Sequence, residues 1–167
     1  PGWGWSDVLP LFKRSEHNER GADAFHGAGG PLHVAEVRSP HAASLAFVEA
    51  GVQSGHPRNA DFNGATQEGV GLYQVTQKNG RRWSAARAYL DAAAGRPNLR
   101  VVGGAHALRL QLDGKACRGV ETTHGAFHAR RENILAGGTF GSPQLLLLSG
   151  IGPQEELARH GIALRHE

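Results

Sequence analysis

Apolar residues along the chain fall into short runs between glycine- and proline-rich breaks, and one stretch alternates cleanly. Leu108, Leu110 and Leu112 interleave with Arg109, Gln111 and Asp113, the period of a strand with one buried face. Asp113-Gly114 then offers a hairpin turn. Val120 and Thr122 continue the alternation, His124-Gly125 makes a second turn, and Phe127 sits in a third strand. Segments 105–112, 116–122 and 126–131 are therefore expected to pair as an antiparallel three-stranded meander. Downstream, Ile134-Leu135-Ala136 reads as a short apolar strand running into a glycine turn. A helix follows from Ser142, with serine at the cap and Pro143 at the first position, and Leu145 to Leu148 are expected to bury it on several faces. Pro153 opens another helix, and Ile162-Ala163-Leu164 starts one more strand.

The amino-terminal half is patterned less regularly. Ser6 to Ser15 reads as a short helix capped by Ser6, with Asp7 at its positive end and Pro10 in its first turn. Gly27 to Pro31 is a loop, and Leu32 to Val37 alternates like a strand. Ser39-Pro40 opens a helix with Leu45, Val48 and Val52 on one face and Gly55 as its stop. Residues 56–69, rich in Pro, Asn, Asp and Gly, form a long polar loop. Val70 to Val75 reads as a strand and Ser84 to Ala94 as a helix capped by Ser84. No internal repeat is present. Helices, an antiparallel meander and a buried strand–glycine–helix unit in one chain belong to the α/β class with α+β elements.

Composition narrows this picture only slightly. The 167 residues suffice for a core, and 40% hydrophobic with 20% charged content is globular. The 24 glycines are dispersed among apolar runs, which points to tight turns and close backbone approaches. A net charge of +3, with basic residues scattered singly or in pairs such as Arg81-Arg82 and Arg130-Arg131, does not form a phosphate-tracking stripe, so no nucleic acid is expected. Cys117 is alone, which excludes an intrachain disulfide and a paired-cysteine metal site. It fits a reducing compartment such as the cytoplasm, and the location is left open. The longest apolar run, Leu145 to Leu148, is far shorter than a membrane span, and no signal peptide is visible. The chain starts at Pro1 and contains no methionine, so a piece of something longer is expected.

Few motifs carry chemistry. A dinucleotide fingerprint needs glycine at its first, third and sixth positions. Gly27-x-Gly29, Gly69-x-Gly71 and Gly150-x-Gly152 are followed at the sixth by Leu32, Gln74 and Glu155, so all three miss. There is no Walker loop, nucleophile elbow or zinc-protease helix. Ten histidines suggest metal binding, yet none pair at i,i+4 on a helix, and structural roles are the expectation. The segment from Gly137 to Gly152 is more specific. Its glycines let backbone approach a neighbour closely, and free donors around 137–142 would suit an anionic cofactor group. A tight strand–helix turn that needs small residues for packing explains the same residues almost as well.

From Gly138 to Gly152 the sequence resembles the second signature of the glucose–methanol–choline (GMC) FAD-dependent oxidoreductases, with Ser142-Pro143 and a terminal Ser149-Gly-Ile-Gly152. The resemblance covers essentially the whole chain. Residues 1–10, Phe25 to Val34, Asp61 to Gly64, Gly69 to Gln77, Gly80 to Leu90 and Arg96 to Leu99 look like the choline dehydrogenase branch.

The resemblance implies part of an FAD-binding α/β domain with the meander, plus a piece of the substrate domain. Residues 1–37 would come from the substrate or cap domain and 38–167 from the FAD-binding domain. It implies oxidation of a primary alcohol, choline-like or other, to an aldehyde by hydride transfer to flavin, assisted by a histidine base. The cofactor-binding candidates are Ala107, Ala136, Gly137, Gly138 and Ser142. Ala107 takes the position that holds adenine through backbone contacts, where valine is usual, so apolar packing there would be weaker. Ala136 to Gly138 would lie near the ribose and diphosphate, with Ala-Gly-Gly where Ser-Ala-Gly is common. The family's glycine fingerprint is expected before Pro1 and its catalytic histidine beyond Glu167, so no catalytic residue is assigned. Two alternatives stay open: a flavin-containing non-redox lyase, which resembles this family, and a truncated nucleotide- or partner-binding module. The alcohol, the electron acceptor, the oligomeric state and any membrane association are left open.

Overall fold

Asp7 sets the first helix. In the computed structural model, which describes residues 2–167, helix α1 spans Trp5–Ser15, with Gly4 at the cap and the Asp7 carboxylate accepting the Gly4 N–H at 3.0 Å. The helix thus begins one residue before the expected serine cap, and Pro10 falls inside it instead of in its first turn. Lys13 and Arg14 lie at the negative end, and the Lys13 ammonium donates to the carbonyls of Asp23 and Ala24.

The chain divides into two compact units, Pro1–Leu99 and Arg100–Glu167. In the first, β1 (Glu16–Asn18) and β2 (Leu32–Val34) pair in parallel, with Glu16 beside Leu32 and Asn18 beside Val34. The loop between them passes so close to α1 that a Cβ on Gly27 would sit 1.8 Å from the Lys13 carbonyl oxygen, which only glycine avoids. Asn18 is buried and locks the loops around it: its side-chain amide exchanges hydrogen bonds with Gln74, donating at 3.0 Å and accepting at 3.2 Å. Helix α2 (Ala42–Gln53) is capped by His41, whose Nδ1 accepts the Ala43 N–H at 3.1 Å. The cap lies two residues beyond the expected Ser39; of the expected apolar face Val48 is buried, Val52 half-buried and Leu45 exposed, and Gly55 follows the helix at φ 93°.

Residues 70–75 do not form the expected strand. Val70 and Val75 make isolated bridges to Arg58 and Ala35 and nothing regular lies between, because the partner segments are themselves irregular. β3 (Gln77–Lys78) and β4 (Arg81–Arg82) form a small hairpin around Asn79-Gly80, both at positive φ. The expected helix from Ser84 is present in altered form, as a π-helical turn Ala86–Leu90 continuing into α3 (Asp91–Ala93), with Ser84 Oγ accepting the Arg87 N–H at 3.4 Å.

The second unit is built on the meander. β5 (Ala107–Asp113), β6 (Ala116–Thr122) and β7 (Gly125–His128) pair antiparallel in the order β5-β6-β7. The two turns fall at Asp113-Gly114 and His124-Gly125 as expected, and the third strand stops three residues short of 131. Helix α4 (Gly138–Leu148) and helix α5 (Gln154–Arg159) follow, with Pro153 at the cap of α5 and Leu157 buried. Residues 134–136 and 162–164 carry no regular secondary structure; the only bridge nearby among the described residues joins Ile151 and His166. Helix α4 also departs from expectation. It starts four residues before Ser142, and it has no fully buried residue: Leu145 to Leu147 are half-buried and Leu148 is exposed. Ser149 ties it to the sheet, its buried hydroxyl accepting the Leu110 N–H at 2.8 Å while donating to the Leu145 carbonyl at 2.6 Å.

Replacing Ser149 with alanine leaves the Leu110 N–H buried without a partner, which costs about 1–3 kcal/mol. Urea unfolding of the 167-residue chain should show that loss with an unchanged denaturant slope. Unaltered stability would mean that the Leu110 amide finds another acceptor.

Candidate cofactor site

The candidate residues converge on one cavity of about 280 Å³ in the second unit. β5 supplies Ala107 and Leu110, β6 supplies Val120, the irregular segment before α4 supplies Asn133 to Gly137, and α4 supplies Gly141, Ser142 and Leu145. Four of the five residues singled out in the sequence therefore share a cavity: Ala107, Ala136, Gly137 and Ser142. Gly138 is next to its lining, at the start of α4.

Local chemistry explains the shape. Ser142 does not cap α4 from its first position; from inside the helix its Oγ accepts the Gly137 N–H at 2.9 Å. That bond folds the turn back and removes the Gly137 N–H from the donors available to a ligand. The first-turn amides of α4 have no intrahelical partner, as at any helix start. Gly138 holds φ at 78°, and a Cβ there would meet no heavy atom of this chain within 4 Å. Packing within the chain therefore does not explain glycine at 138, whereas the backbone conformation does, and the space beside it is open. Gly137 is different, since a Cβ there would sit 3.1 Å from the Gly141 carbonyl carbon and the Ser142 nitrogen.

No ionisable side chain lines the cavity. Its polar elements are backbone, the Ser142 hydroxyl and Asn133, whose Nδ2 donates to the Cys117 carbonyl at 2.9 Å and holds the 133–137 segment against β6. Asn133, Leu110, Val120 and Leu145 were not among the sequence candidates. Only the position of Asn133 just ahead of the Ile134 run could have drawn attention to it. The walls suit a planar, largely apolar group such as a nucleobase, with backbone donors for its polar edge.

Of the ten histidines, five lie in the first unit, and His17, His26 and His33 there have defined partners. His26 is buried between Glu16 and Asp61, with Nδ1 3.1 Å from a Glu16 oxygen and Nε2 2.9 Å from Asp61 Oδ2. Burial pushes its pKa down, but the hydrogen bonds to Asp61 and Glu16 outweigh it and hold the ring above its ordinary value. His17 and His33 face each other across β1 and β2 with ring centroids 4.5 Å apart, and His33 meets the Trp83 ring edge-on at 5.2 Å. Burial, then the Lys78 ammonium and His17, keep His33 below its ordinary pKa. Among the described residues no three His, Cys, Asp or Glu side chains are grouped to hold a metal ion.

Comparison with known proteins places this geometry in a family. The GMC oxidoreductase profile matches residues 1–164. An alcohol dehydrogenase [acceptor] of Pseudomonas putida is 44% identical over 99% of this chain and 31% of its own length. An oxygen-dependent choline dehydrogenase of Brucella ovis is 47% identical over 98% of this chain and 30% of its own. Among solved structures, pyridoxine 4-oxidase from Mesorbium loti superposes with a TM-score of 0.86 at 35% identity, over 99% of this chain and 33% of that one. An FAD-dependent oxidoreductase from Chaetomium thermophilum does so with a TM-score of 0.83 at 26% identity, over 98% of this chain and 32% of that one. The chain thus spans about a third of the length of the proteins it matches, and with a family profile covering all but its last three residues it belongs to the GMC oxidoreductases.

Proposed function

We propose that the chain is a segment of an FAD-dependent alcohol oxidoreductase and supplies one wall of its FAD site. The supporting observation is the convergence of Ala107, Ala136, Gly137 and Ser142 on one cavity beside the open, positive-φ turn at Gly138. In this reading Ala107 and Val120 pack on the adenine, and Ala136 to Gly138 pass the ribose and diphosphate. Residues 1–37 belong to the substrate-facing domain and 38–167 to the FAD-binding domain. When bound, FAD would accept hydride from an alcohol carbon. A choline-like primary alcohol is the proposed substrate, in line with the names of the relatives. His26 is not proposed as the catalytic base, because both its ring nitrogens face carboxylates.

The 167-residue chain alone should bind FAD weakly. It contains no complete glycine fingerprint, and several missing backbone contacts at about 0.5–1.5 kcal/mol each leave little affinity. Titration calorimetry that gives submicromolar affinity would refute this.

Gly138 tests the site in the full-length protein. Asparagine tolerates positive φ and valine does not, so Gly138→Asn separates cofactor contact from backbone strain. Melting temperature is measured for each variant with and without added FAD. Gly138→Val should be destabilised in both conditions. Gly138→Asn should keep most of its cofactor-free stability but lose the rise that FAD produces. If the rise matches that of the unsubstituted protein, this turn does not contact the cofactor. Bleaching of bound flavin by an alcohol separates the oxidoreductase from a non-redox lyase.

A further inference from the structure

Three segments of the first unit meet at His26: β1 through Glu16, the loop that carries the histidine, and the polar loop after α2 through Asp61. The side chain is 7% exposed. Its Nδ1 lies 3.1 Å from both Glu16 oxygens and its Nε2 lies 2.9 Å from Asp61 Oδ2. An ionised carboxylate only accepts, so both ring nitrogens must carry hydrogen and the side chain is an imidazolium. Asn18 Nδ2 is also 3.1 Å from Nδ1, but its two hydrogens have acceptors in Glu16 Oε1 at 3.2 Å and Gln74 Oε1 at 3.0 Å.

The Asp61 loop is one wall of an apolar cavity of about 610 Å³. Phe62, Asn63 and Gln67 line it together with Trp5, Phe12 and Phe25. Asp61 fastens this wall: its Oδ1 accepts the Asn63 N–H at 3.0 Å, ordering the loop, and its Oδ2 accepts the His26 Nε2–H at 2.9 Å. We propose that residues 61–67 are a strap beside this cavity, latched to the first unit through the His26 imidazolium and loosened when that ring loses a proton.

The charges around the ring favour this. Glu16 faces it from β1 and Asp61 from the loop. On its own loop Asp23 accepts the Phe25 and His26 N–H groups at 2.7 Å, and those bonds hold its carboxyl below the ordinary value. Lys13 reaches from α1 to the carbonyls of Asp23 and Ala24. Beyond Asn18 and Gln74 lies the Arg20–Glu36 ion pair at 2.6 Å. Carboxylates thus outnumber cations at the ring. Whichever nitrogen is deprotonated, one carboxylate then faces a lone pair and the two anions lose the cation between them. Glu16 is held in a strand and also accepts the Gly27 N–H at 2.9 Å, so the Asp61 side yields. Because the folded ring titrates above its ordinary value, the latch is complete below about pH 6.5 and is lost as pH rises through the folded value.

Hydrogen exchange of the full-length protein between pH 6 and 9, corrected for intrinsic base catalysis, tests the strap, with the His26 ring followed by NMR. Protection of residues 61–67 should fall about tenfold in step with the ring's titration, the size of one charge-assisted hydrogen bond, while β5 and β6 keep theirs. Asp61→Asn should lower protection at pH 6 and abolish the step. Unchanged protection of 61–67 through the titration, a uniform loss across the chain, or the same step in Asp61→Asn would each overturn the proposal. Should Asp61→Asn fail to fold, the unsubstituted profile decides by whether the loss is confined to 61–67.

Discussion

The candidate site depends on one hydroxyl that joins a helix to the side of a strand. Leu110 stands opposite Val120 in the β5–β6 ladder, yet its N–H goes to Ser149 Oγ at 2.8 Å. Ser149 follows the last residue of α4, so this bond pins that end of the helix to the middle of β5. With its carboxyl end fixed, an eleven-residue helix about 16 Å long has little freedom at its other end. Leu110 and Ala107 on the strand, and Leu145, Ser142 and Gly141 on the helix, then have to enclose the same space. The Ser142–Gly137 bond closes the remaining side by turning the incoming segment back over the helix start. Two serine hydroxyls thus shape a cavity that contains almost no other side-chain polarity.

What could be read from the chain beforehand follows from how local each interaction is. The meander was legible because its partners are neighbours in sequence and its turns have their own chemistry at Asp113-Gly114 and His124-Gly125. Val70–Val75, Ile134–Ala136 and Ile162–Leu164 have the composition of strands but make no ladder here, because a strand exists only with a partner. Ile134, read as buried, is 81% exposed for the same reason. Helix starts slipped where serine looked like a cap. At α1 Gly4 takes the cap position while the Asp7 carboxylate reaches back to the Gly4 N–H, and at α4 the turn conformation of Gly137 and Gly138 began the helix before Ser142 was reached. The His26 cluster could not be read at all, since Asp61 lies thirty-five positions away and nothing in the spacing marks the pair.

The cofactor-binding candidates rested on the family resemblance. Recognition through backbone leaves a trace in sequence mainly as missing side chains: Ala107, Ala136, Gly137 and Gly138 share smallness, and no periodicity or charge pattern isolates them. Residue chemistry alone could not separate a cofactor turn from a tight packing turn. The structure narrows that choice. At Gly137 the neighbouring atoms of the chain crowd a side chain, which is the packing explanation. At Gly138 they do not, and what remains is the left-handed backbone and open space. Two adjacent glycines that look equivalent in sequence therefore answer to different constraints.

The polar chemistry of the first unit is closed on itself, which limits what it can do in a reaction. No buried side-chain nitrogen or oxygen among the described residues lacks a partner. Asn18 and Gln74 satisfy each other, Gln74 also reaches Glu36, and Glu16 serves Asn18, His26 and the Gly27 backbone. A general base needs a free lone pair within reach of the substrate proton. His26 has none while both its nitrogens donate, and neutralising it would set two carboxylates against each other before any substrate was engaged. His17 spends its Nδ1 lone pair on the Gly29 N–H at 2.9 Å. The buried cluster at His26 is thus built to hold chain segments together, and its titration alters how firmly they are held instead of supplying a proton acceptor.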